Sequence, residues 1–117
     1  MKKIYHLSTC TTCQRIIKEL QIGSEFEMQD IKTDKIDKVQ IEEMKQLSGS
    51  YESLFSRRAM KYKELGLKDK VLGEEDYKEY ILQEYTFLKR PVLLIDGEIF
   101  IGNAKKTVEN ARKALGK

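Results

Sequence analysis

The spacing of apolar residues changes several times along the chain, and each change predicts an element. Ile4-Tyr5-His6-Leu7 is β-branched and aromatic and ends at Ser8-Thr9, which reads as a short strand running into a turn. From Thr11, the apolar positions Ile16, Ile17 and Leu20 share one side of a helix that Gly23 is placed to stop. Phe26 to Ile31 alternates, predicting a strand with Phe26 and Met28 inward. Strand, helix and strand make a βαβ unit, which implies parallel pairing and a right-handed crossover. The strand signal then lapses over residues from about 35 to 87, a stretch rich in Lys, Glu, Leu and Tyr. There Ile41, Met44 and Leu47 mark a helix ending at Ser48-Gly49, and Tyr51 to Leu65 predicts shorter helical pieces stopped by Gly66. Glu74 to Tyr85 puts Tyr77, Tyr80, Ile81 and Tyr85 on one face of a third helix, most simply a core face. Strand character returns at Pro91 to Ile95. Asp96-Gly97 is a two-residue hairpin signal, Glu98 to Ile101 the returning strand, and Val108, Ala111 and Leu115 mark a last helix.

The order is therefore β-α-β, a helical insertion over about 35–87, then β-β-α. It predicts an α/β fold with a mixed sheet and resembles the thioredoxin-like arrangement, with the helical block between its two halves. A length of 117 residues suits one domain, 1–117, with a single core. The 40% apolar and 35% charged content fits a globular chain with a charged surface, and no apolar run nears the ~20 residues that span a bilayer. Met-Lys-Lys resembles the start of a signal peptide, but His6, Ser8 and the cysteines interrupt what should follow. The expectation is a cytoplasmic protein with reduced thiols. A net charge of +3 tolerates an anionic substrate and does not argue for nucleic acid.

Cys10-Thr-Thr-Cys13 holds the only two cysteines. If Thr11 opens a helix, Cys10 lies at its mouth, where free backbone N–H groups and the helix dipole favour a thiolate. Cys13, one turn further in, is close enough to form a disulfide with it. Zinc needs four ligands, and only His6 remains to add to the pair. The other readings are an inert buried pair and a redox dithiol; the position between strand and helix, with Arg15 adding positive charge, favours the dithiol. Arg90-Pro91 contains the only proline. In a thioredoxin-like sheet it would lie beside the dithiol with a cis bond, although proline also suits an ordinary strand start. Arg57 and Arg58 are adjacent, so at most one faces any one site, where it would bind an oxyanion or carboxylate. His6 either tunes the thiol or is a satisfied core residue.

Three segments in order resemble the arsenate reductase (ArsC) family, which includes the Spx-type regulators. They are Ile4-Tyr-His6 with Cys10-x-x-Cys13, then Leu54-Phe-Ser-Arg-Arg58 with Tyr62 to Leu67, then Leu88-Lys-Arg90-Pro91-Val with Ile95-Asp-Gly and Ile101-Gly102. The resemblance implies a thioredoxin-like fold, Cys10 as nucleophile, and Arg58 and Arg90 holding an oxyanion beside Pro91. It implies no bound metal or flavin, and electrons from glutathione and glutaredoxin; for a Cys10–Cys13 disulfide, thioredoxin is the other candidate donor. The chain departs from the glutaredoxin-coupled arsenate reductases at Cys13-Gln14, where they have a serine-arginine pair. It also lacks their arginine after the last hairpin, the next one being Arg112.

Two functions follow. One is a thiol-dependent reductase in which Cys10 attacks arsenate or a glutathione-linked substrate and Cys13 or an external thiol resolves the adduct. The other is a redox-sensing regulator that binds the RNA polymerase alpha subunit, as Spx-type proteins do. The C-x-x-C fits both; the short tail after Leu115 favours the reductase.

Overall fold

The computed structural model describes residues 1–117. The chain divides into two compact units, one formed by Met1–Asp34 with Arg90–Lys117 and the other by Lys35–Lys89. No helix is long and apolar enough to cross a membrane.

The first unit is a four-stranded sheet carrying two helices. Its elements are β1 (Lys2–His6), α1 (Thr11–Glu19), β2 (Glu27–Asp30), β3 (Val92–Ile95), β4 (Glu98–Ile101) and α5 (Lys105–Ala114). The strand order is β2-β1-β3-β4. β1 and β2 are parallel, with Ile4 opposite Met28 and His6 opposite Asp30. β3 runs antiparallel to β1, and β4 antiparallel to β3. This is the mixed, thioredoxin-like sheet that the order of elements predicts. All four residues of β3 are buried, as a central strand covered on both faces requires. Ile4, Leu93 and Ile95 of the sheet pack with Ile16 of α1, Leu20 just past its end, and Val108 and Ala111 of α5 to form the core. The β3–β4 turn has Asp96 and Gly97 at φ 49° and 90°, the paired positive values of a type I′ hairpin.

Two details of this unit correct the sequence reading. Helix α1 does not wait for Gly23; Gln21 takes the left-handed conformation, φ 53°. The Ile22 N–H donates to the Ile17 carbonyl at 3.0 Å and the Gln21 N–H to that of Lys18 at 3.1 Å, a Schellman ending. The early turn brings Ile22 and Ile17 together against the core, and Gly23 instead begins the turn into β2, accepting from Phe26 N–H. Met28, expected inward with Phe26, is 46% exposed whereas Phe26 is buried. Met28 stands beside Ile4, but β2 is an edge strand with a neighbour on one side only.

The second unit is helical, with α2 (Lys38–Ser48), α3 (Met60–Glu64) and α4 (Glu74–Gln83) separated by short 3₁₀ turns. Asp37 and Gln40 form a reciprocal capping box at the start of α2, and Gly49 at φ 97° ends it. Ile41 and Met44 are buried, but Leu47 is 41% exposed. A spacing of three residues falls 60° short of a full turn at each step, so the stripe begun at Ile41 has left the core by Leu47. Tyr85 is likewise outside α4, because Glu84 is extended and Tyr85–Phe87 forms a separate turn. Phe55 and Phe87 stack at 5.0 Å between ring centres, with Tyr77 at 4.9 Å from Phe55. An isolated bridge from Phe55 to Leu88 ties the segment before α3 to the end of the unit.

The α1 ending yields a stability prediction. A side chain at a left-handed position costs about 1–2 kcal/mol, and Gln21 is exposed. Gln21→Gly should stabilise the fold by about 0.5–1 kcal/mol, after the larger unfolded-state entropy of glycine is subtracted. Urea unfolding measures this, and an unchanged or lower midpoint would count against the assignment.

Candidate active site

Helix α1 begins only a few residues beyond β1, and that short passage places both sulfurs. Cys10 is the N-cap residue, extended at φ −85° and ψ 116°. Its N–H donates to the Leu7 carbonyl at 2.9 Å and its own carbonyl accepts from Gln14 N–H at 3.0 Å. The first turn of α1 contains no acidic residue, so nothing on the helix itself opposes a negative charge there. Cys10 is partly exposed and Cys13 fully buried, and both are free thiols.

The two thiols differ chemically. Partial burial disfavours the Cys10 thiolate, but the Cys13 N–H, the Cys13 thiol, the Thr12 N–H and the Arg90 side chain together outweigh it, and the Cys10 pKa is lowered. The neutral thiol makes no cap hydrogen bond; these N–H groups act on the charged sulfur. Cys13 is pushed up to about 11, chiefly by burial and then by the neighbouring charge of Cys10, against a partial offset from the Leu7 N–H. Cys13 thus holds its proton and points it at Cys10. Leu7 serves both residues, its carbonyl bonding Cys10 and its N–H facing the Cys13 sulfur.

Arg90 and Pro91 precede β3, the strand beside β1, and this brings the Arg90 side chain to the Cys10 sulfur. The Arg90–Pro91 peptide is cis, and the Pro91 carbonyl accepts from Gly102 N–H at 2.9 Å. Cys10, Cys13 and Arg90 therefore form one cluster, with Pro91 the next residue in the chain. Arg15 is exposed and reaches Glu19 at 3.9 Å; the cation on the thiol is Arg90. His6 ends β1, is buried, and leaves its Nδ1 without a hydrogen bond. Its register partner is Asp30. Arg58 belongs to the second unit and is exposed. Its neighbour Arg57 is committed to Glu52 at 2.8 Å and to the Tyr77 hydroxyl at 3.0 Å. No three His, Cys, Asp or Glu side chains converge to hold a metal ion.

Sequence reasoning passed over Ser8, Gln14 and Asp30. The Gln14 side-chain amide donates to the Ser8 carbonyl at 2.6 Å. Asp30 accepts from the Ser8 hydroxyl and, more weakly, from its N–H. The hydroxyl is the main cause of a lowered Asp30 pKa, over a small opposing effect of burial and with help from Lys32 N–H and His6. Parallel pairing of β1 with β2 was a usable signal, since it sets the C-terminal ends of both strands side by side.

The ArsC family profile matches residues 5–111. The chain belongs to the ArsC family. It is similar to the solved structure of an arsenate reductase from Vibrio cholerae, with a TM-score of 0.78 and 18% identity over 93% of this chain and 95% of that one. A possible arsenate reductase from Streptococcus mutans matches at TM-score 0.72 and 25% identity, covering 95% and 97%. SACOL0876 from Staphylococcus aureus matches at 0.75 and 26%, covering 94% and 97%. No curated protein matches the chain.

The thiol asymmetry in this ArsC protein predicts selective labelling. A lowered pKa means that the Cys10 thiolate fraction climbs at a pH below the ordinary thiol range, whereas Cys13 ionises only near pH 11. Iodoacetamide at neutral pH should modify Cys10 and spare Cys13. Peptide mass mapping reads the ratio, and equal labelling in the folded protein would contradict the assignment.

Proposed function

We propose that this ArsC protein is a thiol-dependent reductase, with Cys10 as nucleophile and Cys13 as resolving thiol. The observation that carries the reading is the pairing of a partly exposed, acidified thiol with a buried one that retains its proton. Arsenate is the substrate suggested by the names of the structural relatives.

The Cys10 thiolate displaces one hydroxyl of arsenate, which leaves as water after protonation, and a sulfur–arsenic bond forms. Arg90, beside the sulfur, offsets the charge of the incoming oxyanion. Arg58 is the second candidate for oxyanion binding, by its match to the family segment. Cys13 then loses its proton and attacks the Cys10 sulfur. The sulfur–arsenic bond breaks with its electron pair going to arsenic, leaving arsenite and a Cys10–Cys13 disulfide. Glutathione with glutaredoxin, or thioredoxin, returns the two electrons.

The test is arsenite production from arsenate with each donor system, on wild type, Cys10→Ser and Cys13→Ser. Wild type should turn over, and Cys10→Ser should lose roughly a thousandfold or more. Cys13→Ser should lose turnover with thioredoxin yet retain part of it with glutathione, which can resolve the adduct externally. No arsenite from wild type under any donor would overturn arsenate as substrate. If a Cys10–Cys13 disulfide still formed under mild oxidant, the redox-sensor function would take its place.

A further inference from the structure

The β1–α1 connection is held from both sides at one residue. Ser8 gives its carbonyl to the Gln14 side-chain amide at 2.6 Å, which ties it to the first turns of α1. Its hydroxyl and N–H go to the Asp30 carboxylate at the end of β2. Asp30 is itself fixed: its carboxylate accepts from Lys32 N–H at 3.1 Å and its carbonyl from Asp34 N–H at 2.8 Å. Ile31 N–H bonds the His6 carbonyl at 2.9 Å, which locks the ends of the two strands together. Every hydrogen-bonding group of Ser8 thus has a named partner on one of the two flanking elements.

Cys10 is two residues further on and depends on this passage for its aim. Its sulfur is served by N–H groups of α1 and by a side chain from the start of β3. A small rotation of the loop would swing the sulfur off those donors while leaving the core intact. We propose that Ser8, clamped between Asp30 and Gln14, is a positioning residue that orients the Cys10 thiolate onto the α1 N-terminus and Arg90. The proposal rests on the reading of Cys10 as the reactive thiol. The clamp acts through geometry, since Ser8 and Gln14 are neutral. The titrating and charged groups near the loop are Cys13 and Arg90 around the thiol, and His6 with Asp30 across β1 and β2.

Neutral substitutions therefore isolate orientation from charge. The experiment follows the iodoacetamide reaction rate of Cys10 against pH in full-length wild type, Ser8→Ala, Gln14→Ala and Ser8→Thr, with thermal unfolding of each. Ser8→Ala and Gln14→Ala should raise the midpoint of the rate profile by about half a unit to one unit. The rate below the midpoint then falls roughly three- to tenfold, while the plateau at high pH is kept. Ser8→Thr, which retains the hydroxyl, should restore the wild-type midpoint. A purely structural role would lower the melting temperature and leave the midpoint in place, and that result in the folded variants overturns the clamp. If Ser8→Ala does not fold, Gln14→Ala decides alone. A wild-type Cys10 with an ordinary midpoint would instead overturn the reading of Cys10 on which the proposal rests.

Discussion

An α-helix begins with backbone N–H groups that have no partner within it, and the start of α1 is where the rest of the site takes its shape. Such ends are usually closed by the oxygen of Ser, Thr, Asp or Asn. Here the N-cap is Cys10, and no side-chain cap bond forms. Neutral sulfur is a weak acceptor, and the thiolate a much better one. The cap is therefore better satisfied by an ionised cysteine than by a protonated one. Local helix energetics and the acidity of the thiol are one interaction seen from two sides.

The sheet supplies the remainder. Parallel pairing forces α1 to cross over β1 and β2, so its N-terminus rises at the C-terminal ends of those strands. The antiparallel β3 starts at that same end, which is how Arg90 reaches the sulfur although it is 80 positions distant in sequence. One turn into α1 the environment reverses. Cys13 lies on the buried face that continues to Ile16, and loss of water raises its pKa to about 11, whereas that of Cys10 is lowered at the helix end. The two neighbouring thiols are thus shifted in opposite directions, the inner one toward keeping its proton and the outer one toward losing it.

Much of this was legible in the sequence because it depends on local signals. The 3.6-residue period found α1 and α5, Asp96-Gly97 found the hairpin, and the C-x-x-C at a strand-to-helix junction found the thiols. What was not legible depended on geometry between elements. Met28 has the right parity to be buried, but parity does not say that β2 is an edge. Gly23 looked like the natural helix stop, yet the need to bring Ile22 onto Ile17 turned the chain at Gln21 instead. Ser8 and Asp30 lie 22 residues apart and each reads as an ordinary turn or strand-end residue. Only the register that puts His6 beside Asp30 makes them neighbours.

The adjacent arginines show the same limit from the other side. Sequence could say only that Arg57 and Arg58 point apart. In the second unit Arg57 reaches the Glu52 carboxylate and the Tyr77 hydroxyl, and its guanidinium also lies 5.7 Å from the Tyr77 ring centre. Tyr77 in turn packs on Phe55, within the aromatic cluster that holds this unit together. Arg57 is therefore part of the packing, and replacing it would disturb Tyr77 before it disturbed any ligand. The Arg58 backbone N–H bonds the Ser56 hydroxyl at 3.3 Å, while its side chain is left to solvent. The Arg58 guanidinium is an exposed planar cation, whereas that of Arg57 is spent on Glu52 and Tyr77. Two identical, adjacent side chains thus differ physically: Arg57 is held in the packing of its unit, and Arg58 is exposed.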